Sequence, residues 1–420
     1  MKKLLAVLLG LLLLSPITGE LWRLPVLGVE LLPSDMLIPI FFVVWGIDKI
    51  HSDRKIRIGN IGKMVILFLF VLISTYLFNF IRFDTTEMIV AFTYLGRFAM
   101  YIILALMVFD LLDRDKNKLF YKVTLGGMLV SFVSIVALGF LQLVFFPNFF
   151  ELGMHLKGWD PHIGRLLSTW FDPNFIGGYL AFMLSISIAV TLYFYHKGNR
   201  RFMLILGIIS AFGLIALYLT YSRSGYLALI AALGVLAFLR SRKILIIVML
   251  IIVLGLGISP RVQQRFMDLW GTARVVLNID VQQTIDPTAR LRLYSWQFAT
   301  EIITDHPWIG VGFSRYAYEI NYRGHGLLSG HASGGSDSSL LTIWATTGVF
   351  GFLSALAIGF VATVSTLKRI WKKRNFDSYL QSGFLAGFAG MVVHSIFVNS
   401  LLFPLMMVYL WVAMGVMDRR

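Results

Sequence analysis

Runs of about 18 or more apolar residues recur along almost the whole chain, the length at which a helix can cross hydrocarbon with its backbone satisfied internally. Of the 420 residues, 58% are hydrophobic and only 14% charged, against roughly 25% charged residues in ordinary soluble domains. The sequence therefore reads as an all-α polytopic membrane protein forming a single integral membrane domain over 1–420. The net charge of +15 does not point to nucleic acid, because Lys and Arg come as short tufts between apolar runs, where they orient spans. There is no Cys, so disulfides, thiolate nucleophiles and cysteine metal sites are excluded.

Lys2 and Lys3 followed by the run Leu4 to Ile17 read as a retained first helix rather than a cleaved signal, since Ser15-Pro16-Ile17-Thr18-Gly19 lacks a small-x-small cleavage site. With the short run Leu37 to Ile47 it is expected to form a hairpin, Trp22 and Trp45 lying near the interfaces. Further spans are expected near 64–81, 89–111, 119–146, 175–195, 202–219, 226–239, 244–259, 339–364, 379–398 and 400–416, about twelve in all. If Lys2 and Lys3 are cytoplasmic, the same side receives the tufts at 49–63, 114–122, 197–201, 240–243 and 368–374 together with Arg419 and Arg420. Both termini are then cytoplasmic.

The segment 260–338 is the one long polar stretch between apolar blocks, and it becomes an extracytoplasmic loop between the ninth and tenth spans. It carries Arg261, Arg265, Arg274, Arg290, Arg292, Arg315 and Arg323 without one Lys. Elsewhere on that face the cations are Arg23, Arg82, Arg165 and Arg223, with Lys157 the exception. Topology predicts few cations outside but no preference for Arg. Arg grips phosphate in a planar, bidentate way, so the bias points to an anionic, phosphorylated ligand, with interfacial snorkelling as the alternative for any single Arg.

Arg97 stands inside an otherwise apolar helix, where a cation costs roughly 2.5–3.5 kcal/mol, and is a candidate substrate-binding residue unless Asp84 or Glu87 is its structural partner. Asp172 and Asn174 flank Pro173 at a helix start, which serves capping and anion placement equally. Tyr221-Ser222-Arg223-Ser224-Gly225 is a tight turn holding a cation at the mouth of the bundle. In the long loop, Arg290 and Arg292 precede an amphipathic helix expected over 294–304, a lid lying on the membrane. His331 and Asp337 follow at the end of a Gly/Ser run, either of them placed to accept a proton. His394 and Asn399 read as structural, the usual role of a lone polar residue in a span. With no Walker motif, HExxH, acidic metal cluster or nucleophile elbow, the chemistry is expected to need no metal and no cofactor.

Taken in order, these motifs are similar to the O-antigen ligase and polymerase (Wzy/WaaL-like) superfamily of bacterial polysaccharide assembly. The resemblance rests on Arg165-x-x-Ser-x-x-x-Asp172-Pro173-Asn174, Ser-Arg223-Ser-Gly, Arg292-x-x-x-Trp296, His306-Pro307-x-x-Gly310-x-Gly312, and Leu340 leading to Gly348-x-x-Gly351. It implies a GT-C-like helical glycosyltransferase of the bacterial inner membrane, acting on the extracytoplasmic face without metal. The implied donor is an undecaprenyl-pyrophosphate-linked glycan, with a chain-length regulator and a flippase as partners. Where ligases carry His, this chain has Asp337, with His331 six residues earlier. The expected function is therefore an O-antigen, capsule or exopolysaccharide polymerase, with a ligase acting on another lipid or protein acceptor as the nearest rival. From another class, a twelve-span secondary transporter usually places its long loop centrally and inside. In the polymerase, Arg223, Arg290 and Arg292 would hold the pyrophosphate, His331 or Asp337 would take the acceptor proton, and Arg97, Arg165, Asp172 and Asn174 would line the approach.

Overall fold

The computed structural model describes residues 1–26, 29–80, 84–157, 160, 162–243, 246, 260, 263–264, 267–268, 270–271, 274, 287–324, 335–371 and 373–419. Apart from Ile246, the expected span at 244–259 lies outside the described residues, as do Arg82, Arg261, Arg265 and His331. The described part is a helical membrane protein. In chain order come α1 (Lys2–Leu14), the short hairpin β1 (Leu24–Val26) and β2 (Val29–Leu31), α2 (Pro33–His51), α3 (Asn60–Phe78), α4 (Thr85–Asp113) and α5 (Leu119–Phe145). Then follow α6 (Pro173–His196), α7 (Arg200–Leu219), α8 (Arg223–Leu239), α9 (Pro287–Asp305), α10 (Tyr316–Tyr322), α11 (Ser339–Ile370), α12 (Phe376–Phe397) and α13 (Pro404–Asp418). Among the described residues seven helices, α3 to α7, α11 and α12, are long and apolar enough to cross a membrane, while α8 and α13 are shorter apolar helices.

Two packing systems share α12. On one side α12 lies along α6 and α8. The reason is a stripe of small residues, Gly383, Gly387 and Gly390, whose spacing puts them on one helix face. A methyl on Gly383 would meet Ile186 Cα at 2.7 Å, and one on Gly390 would meet Ala228 O at 2.6 Å. Such close backbone approach is how helices associate when lipid removes the hydrophobic drive between them. On the other side α13 packs along α4 and α11 along α3.

The Lys/Arg-rich ends are tied together at one end of the bundle. Buried Asp110 accepts from Trp45 Nε1 and from Arg57 N, both at 3.0 Å, and pairs with Lys49. Trp45 is therefore buried against this carboxylate. Asp418, at the end of α13, accepts from Ile61 N and Gly62 N at 3.1 and 3.0 Å and so closes the start of α3. Arg240 donates to Ser382 Oγ and to the Lys373 and Ser378 carbonyls, tying α8 to the start of α12.

At the opposite end, α11 is not the continuous span expected from its sequence, because Gly348 breaks it with φ 63° and ψ −169°. That region is essentially reserved for glycine. The break leaves carbonyls without their intrahelical donors, and the His306–Gly312 turn supplies them: Val311 N donates to Ala345 O at 3.1 Å and Gly312 N to Thr346 O at 2.9 Å. In return Val349 N donates to Pro307 O at 2.9 Å. The turn sits so close that a methyl on Gly348 would lie 2.1 Å from Trp308 O. Above it, α9 buries Ala299, Ile302 and Ile303 against Val311, Tyr316 and Ala345. The helix starts earlier than expected, so Arg290 and Arg292 are on it rather than before it, and its apolar face meets protein.

Gly348→Ala should cost on the order of 1–3 kcal/mol from the backbone conformation alone, with the clash added, and should lower the aggregation temperature of the detergent-solubilised protein. Gly126→Ala, whose methyl would meet nothing within 4 Å, should change it little. Equal melting of the two variants would show that the break is dispensable.

Candidate functional site

The site is assembled from helix ends. Asp172 closes the start of α6, its carboxylate accepting from Asn174 N at 2.6 Å and Phe175 N at 3.3 Å. Ser222 closes the start of α8, accepting from Gly225 N at 3.2 Å and donating to Asn174 Oδ1 at 3.1 Å. The two helices touch at glycines, a methyl on Gly225 falling 2.9 Å from Gly177 Cα. Two positive helix ends thus lie side by side, a favourable setting for an anion.

His394 joins them from α12, one turn beyond the small-residue stripe. Its Nε2 is 3.0 Å from Asn174 O and 3.3 Å from Ser224 Oγ, so a proton on Nε2 donates to the carbonyl. Nδ1 is buried and has no partner among the described residues. The ring lies over Gly178, where a methyl would meet it at 2.8 Å.

The cations arrive from three elements. Arg165 donates through Nε to Thr220 O at 2.8 Å and through Nη2 to Tyr221 O at 3.4 Å, capping the carbonyl end of α7. Burial pushes the Asp172 carboxyl above its ordinary range, while the Asn174 N–H, the charge of Arg165 and the Phe175 N–H pull it back. Arg223 is the first residue of α8, its guanidinium largely buried and 4.0 Å from the Asp268 carboxylate. Arg292 is half-buried on α9, one turn before the Ser295 that holds Asp337. Arg290, two residues earlier on α9, is exposed.

The end of the Gly/Ser run is held on both sides. Ser295 Oγ on α9 accepts from Asp337 N at 2.9 Å and donates to Ser336 Oγ at 3.2 Å. Ser338 Oγ donates to Ser395 O at 3.2 Å, and Ser339 Oγ accepts from Leu401 N at 3.0 Å. Asp337 is therefore half-buried between α9 and the end of α12. Burial raises the Tyr316 phenol, and the Asp337 charge raises it further.

Arg97 is committed to a partner that the sequence reading did not name. Asp35 on α2, rather than Asp84 or Glu87, accepts from its Nε at 2.8 Å and pairs with its Nη2 at 2.8 Å. Tyr101 adds a hydrogen bond to the same carboxylate at 2.8 Å. Asp84 instead caps α4 by accepting from Glu87 N at 2.8 Å. Arg97 and Tyr101 line a cavity of about 200 Å³ that extends to Tyr316, Thr342 and Asn399.

Of the residues singled out in the sequence, Arg165, Asp172, Asn174 and Arg223 gather around the α6 and α8 ends, and Arg292 and Asp337 come from the α9 side, tied to the end of α12 through Ser338 and Ser395. Arg97 belongs to the neighbouring cavity. His394 hydrogen-bonds a neighbouring helix, as its structural reading expects, while Asp35, Ser295 and Tyr316 were not singled out in the sequence. For His394 a signal existed, since it continues the i, i+4, i+7 stripe of Gly383, Gly387 and Gly390 by one more turn. The others depend on contacts distant in sequence.

Residues 208–356 match the family model described as O-Antigen ligase. The match spans Arg223, Arg290, Arg292, Asp337 and the Gly348 break. No curated protein matches the chain.

Removing either partner of the Arg97–Asp35 pair leaves an uncompensated charge where the side chains are only 15% and 3% exposed. Arg97→Ala and Asp35→Ala should each destabilise by about 3–5 kcal/mol, and the double variant by less than their sum. Strict additivity in denaturant unfolding would mean that the pair is not coupled.

Proposed function

We propose that this protein, whose residues 208–356 match the O-Antigen ligase family model, is a polysaccharide polymerase of the O-antigen ligase/polymerase superfamily. In this reading an undecaprenyl-pyrophosphate-linked chain moves onto the nonreducing sugar of a new lipid-linked repeat unit. The observation that carries the reading is the convergence of two helix starts, α6 and α8, with Arg165 and Arg223 at one end of the bundle. That end is the extracytoplasmic one if the Lys/Arg-rich end is cytoplasmic. The protein would then be a twelve-span, GT-C-like enzyme of the bacterial inner membrane, with both termini inside.

The acceptor hydroxyl oxygen forms a bond to the donor's anomeric carbon, the bond from that carbon to the pyrophosphate oxygen breaks, and undecaprenyl pyrophosphate leaves with the electron pair. Arg223 and Arg292 offset the charge growing on the leaving group, a preorganised electrostatic effect. Arg165 holds the Tyr221-to-Gly225 turn from behind and thereby sets the position of Arg223. The acceptor proton passes to Asp337 or His331. Exposed Arg290 contributes to attraction more than to grip.

Arg223→Ala and Arg292→Ala should each lower polymer formation on the order of 10²-fold at unchanged protein level, and Arg290→Ala should do so less. Full polymer production from both Arg223→Ala and Arg292→Ala would end this assignment. The description of the matching family as a ligase favours a second reading, transfer of finished glycan to another acceptor. A knockout separates them: loss of long chains with one unit still attached marks a polymerase, and loss of all attachment marks a ligase.

A further inference from the structure

The cavity beside Arg97 has a chemistry unlike that of the arginine cluster. Its cation is neutralised by Asp35 through two nitrogens, Nε and Nη2, so the wall offers an ion pair rather than a free charge. Phe98 and Phe313, with ring centroids 4.9 Å apart, form an aromatic side. The remaining polar groups of the lining, the Tyr94 and Ser314 hydroxyls and the Asn399 amide among them, can both donate and accept. Asn399 Oδ1 is buried and has no partner among the described residues. Thr342 Oγ1 donates to Ser338 O at 2.9 Å and Thr346 Oγ1 to Thr342 O at 2.7 Å, which leaves their lone pairs for a ligand.

With Arg97 paired to Asp35, this wall has no excess positive charge to hold a phosphate. A ligand with several hydroxyl donors and an apolar ring face satisfies both the acceptors and the aromatic side. A space of about 200 Å³ suits a single sugar ring rather than an oligosaccharide. The cavity also adjoins the proposed chemistry. Tyr316 forms part of its wall and donates to Ser295 O at 3.4 Å, and Ser295 Oγ holds the Asp337 backbone.

We infer that this cavity seats one uncharged sugar ring of the acceptor glycan, with Asn399 and Thr342 accepting from its hydroxyls. This rests on the polymerase reading for its choice of glycan. The seat separates the labour of the two places: the arginine cluster receives the pyrophosphate of the donor, and the cavity presents an acceptor hydroxyl toward the Asp337 side.

The chain has no Cys, so Asn399→Cys introduces the sole thiol. Its modification by a small methanethiosulfonate reagent is followed in detergent, with the undecaprenyl-pyrophosphate-linked repeat unit or undecaprenyl pyrophosphate alone as protectant. The repeat-unit lipid should slow modification about tenfold when present at ~10 times its dissociation constant, and the sugar-free carrier should not. Equal protection by both lipids would assign the cavity to the carrier headgroup and overturn the inference. So would no protection by either lipid in a protein that melts like the parent. If Asn399→Cys does not fold, Thr346→Cys carries the same test. Absence of protection combined with polymer loss in Arg223→Ala would reject the cavity while leaving the polymerase reading standing.

Discussion

A helix that stops inside a membrane protein exposes carbonyls that neither lipid nor its own backbone can answer. The break at Gly348 creates that demand, and the His306–Gly312 turn meets it with the N–H groups of Val311 and Gly312. The exchange is reciprocal, since Val349 N donates back to Pro307 O. A polar segment outside the bundle is thereby joined to a span by backbone hydrogen bonds, which fixes its register whatever the side chains do. Everything above the break depends on it: α9 rests on Val311 and Ala345, Ser295 on α9 holds Asp337, and Arg292 lies on the same helix.

The second half of the site is positioned by the absence of side chains. Gly177 against Gly225, and the small stripe of α12 against α6 and α8, bring three backbones within reach of one another. Only at that separation can Ser222 reach Asn174 and His394 reach the Asn174 carbonyl. The positive ends of α6 and α8 then add to the guanidinium of Arg223 rather than acting at separate places. Larger residues at the contacts would preserve both helices and still lose the cluster.

The fold class was legible in the sequence because hydrocarbon imposes a length and composition on each helix. The capping role of Asp172 was also readable, since a cap is a local event over three residues, whereas Ser222 was seen only as part of a tight turn. What was not readable was pairing at a distance. Arg97 has acidic residues near its own helix start, yet its partner is Asp35, 62 positions away. Trp45 has the composition of an interfacial anchor, and Asp110 buries it. The glycines at 310 and 348 were visible as a pair of motifs, but each looked like an ordinary turn or packing residue. That one helix is broken so that the other segment can dock follows only from their joint geometry.

The charge distribution of the finished structure also divides what the sequence had grouped together. The outer-face arginines looked like one population suited to phosphate. Arg97 is neutralised by Asp35, and Arg323 pairs with Glu319 at 3.0 Å and Asp305 at 2.7 Å. Arg165 is directed at carbonyl oxygens. Arg223, 4.0 Å from the Asp268 carboxylate, stands where two helix starts add their field to the guanidinium, whereas in the cavity beyond Tyr316 the charge of Arg97 is matched by Asp35. A phosphate-bearing group and an uncharged sugar would therefore find different environments on either side of Asp337. A transferase that must bring a pyrophosphate leaving group and a hydroxyl nucleophile to one point has use for that asymmetry, because neither end of the reaction then competes for the other's seat.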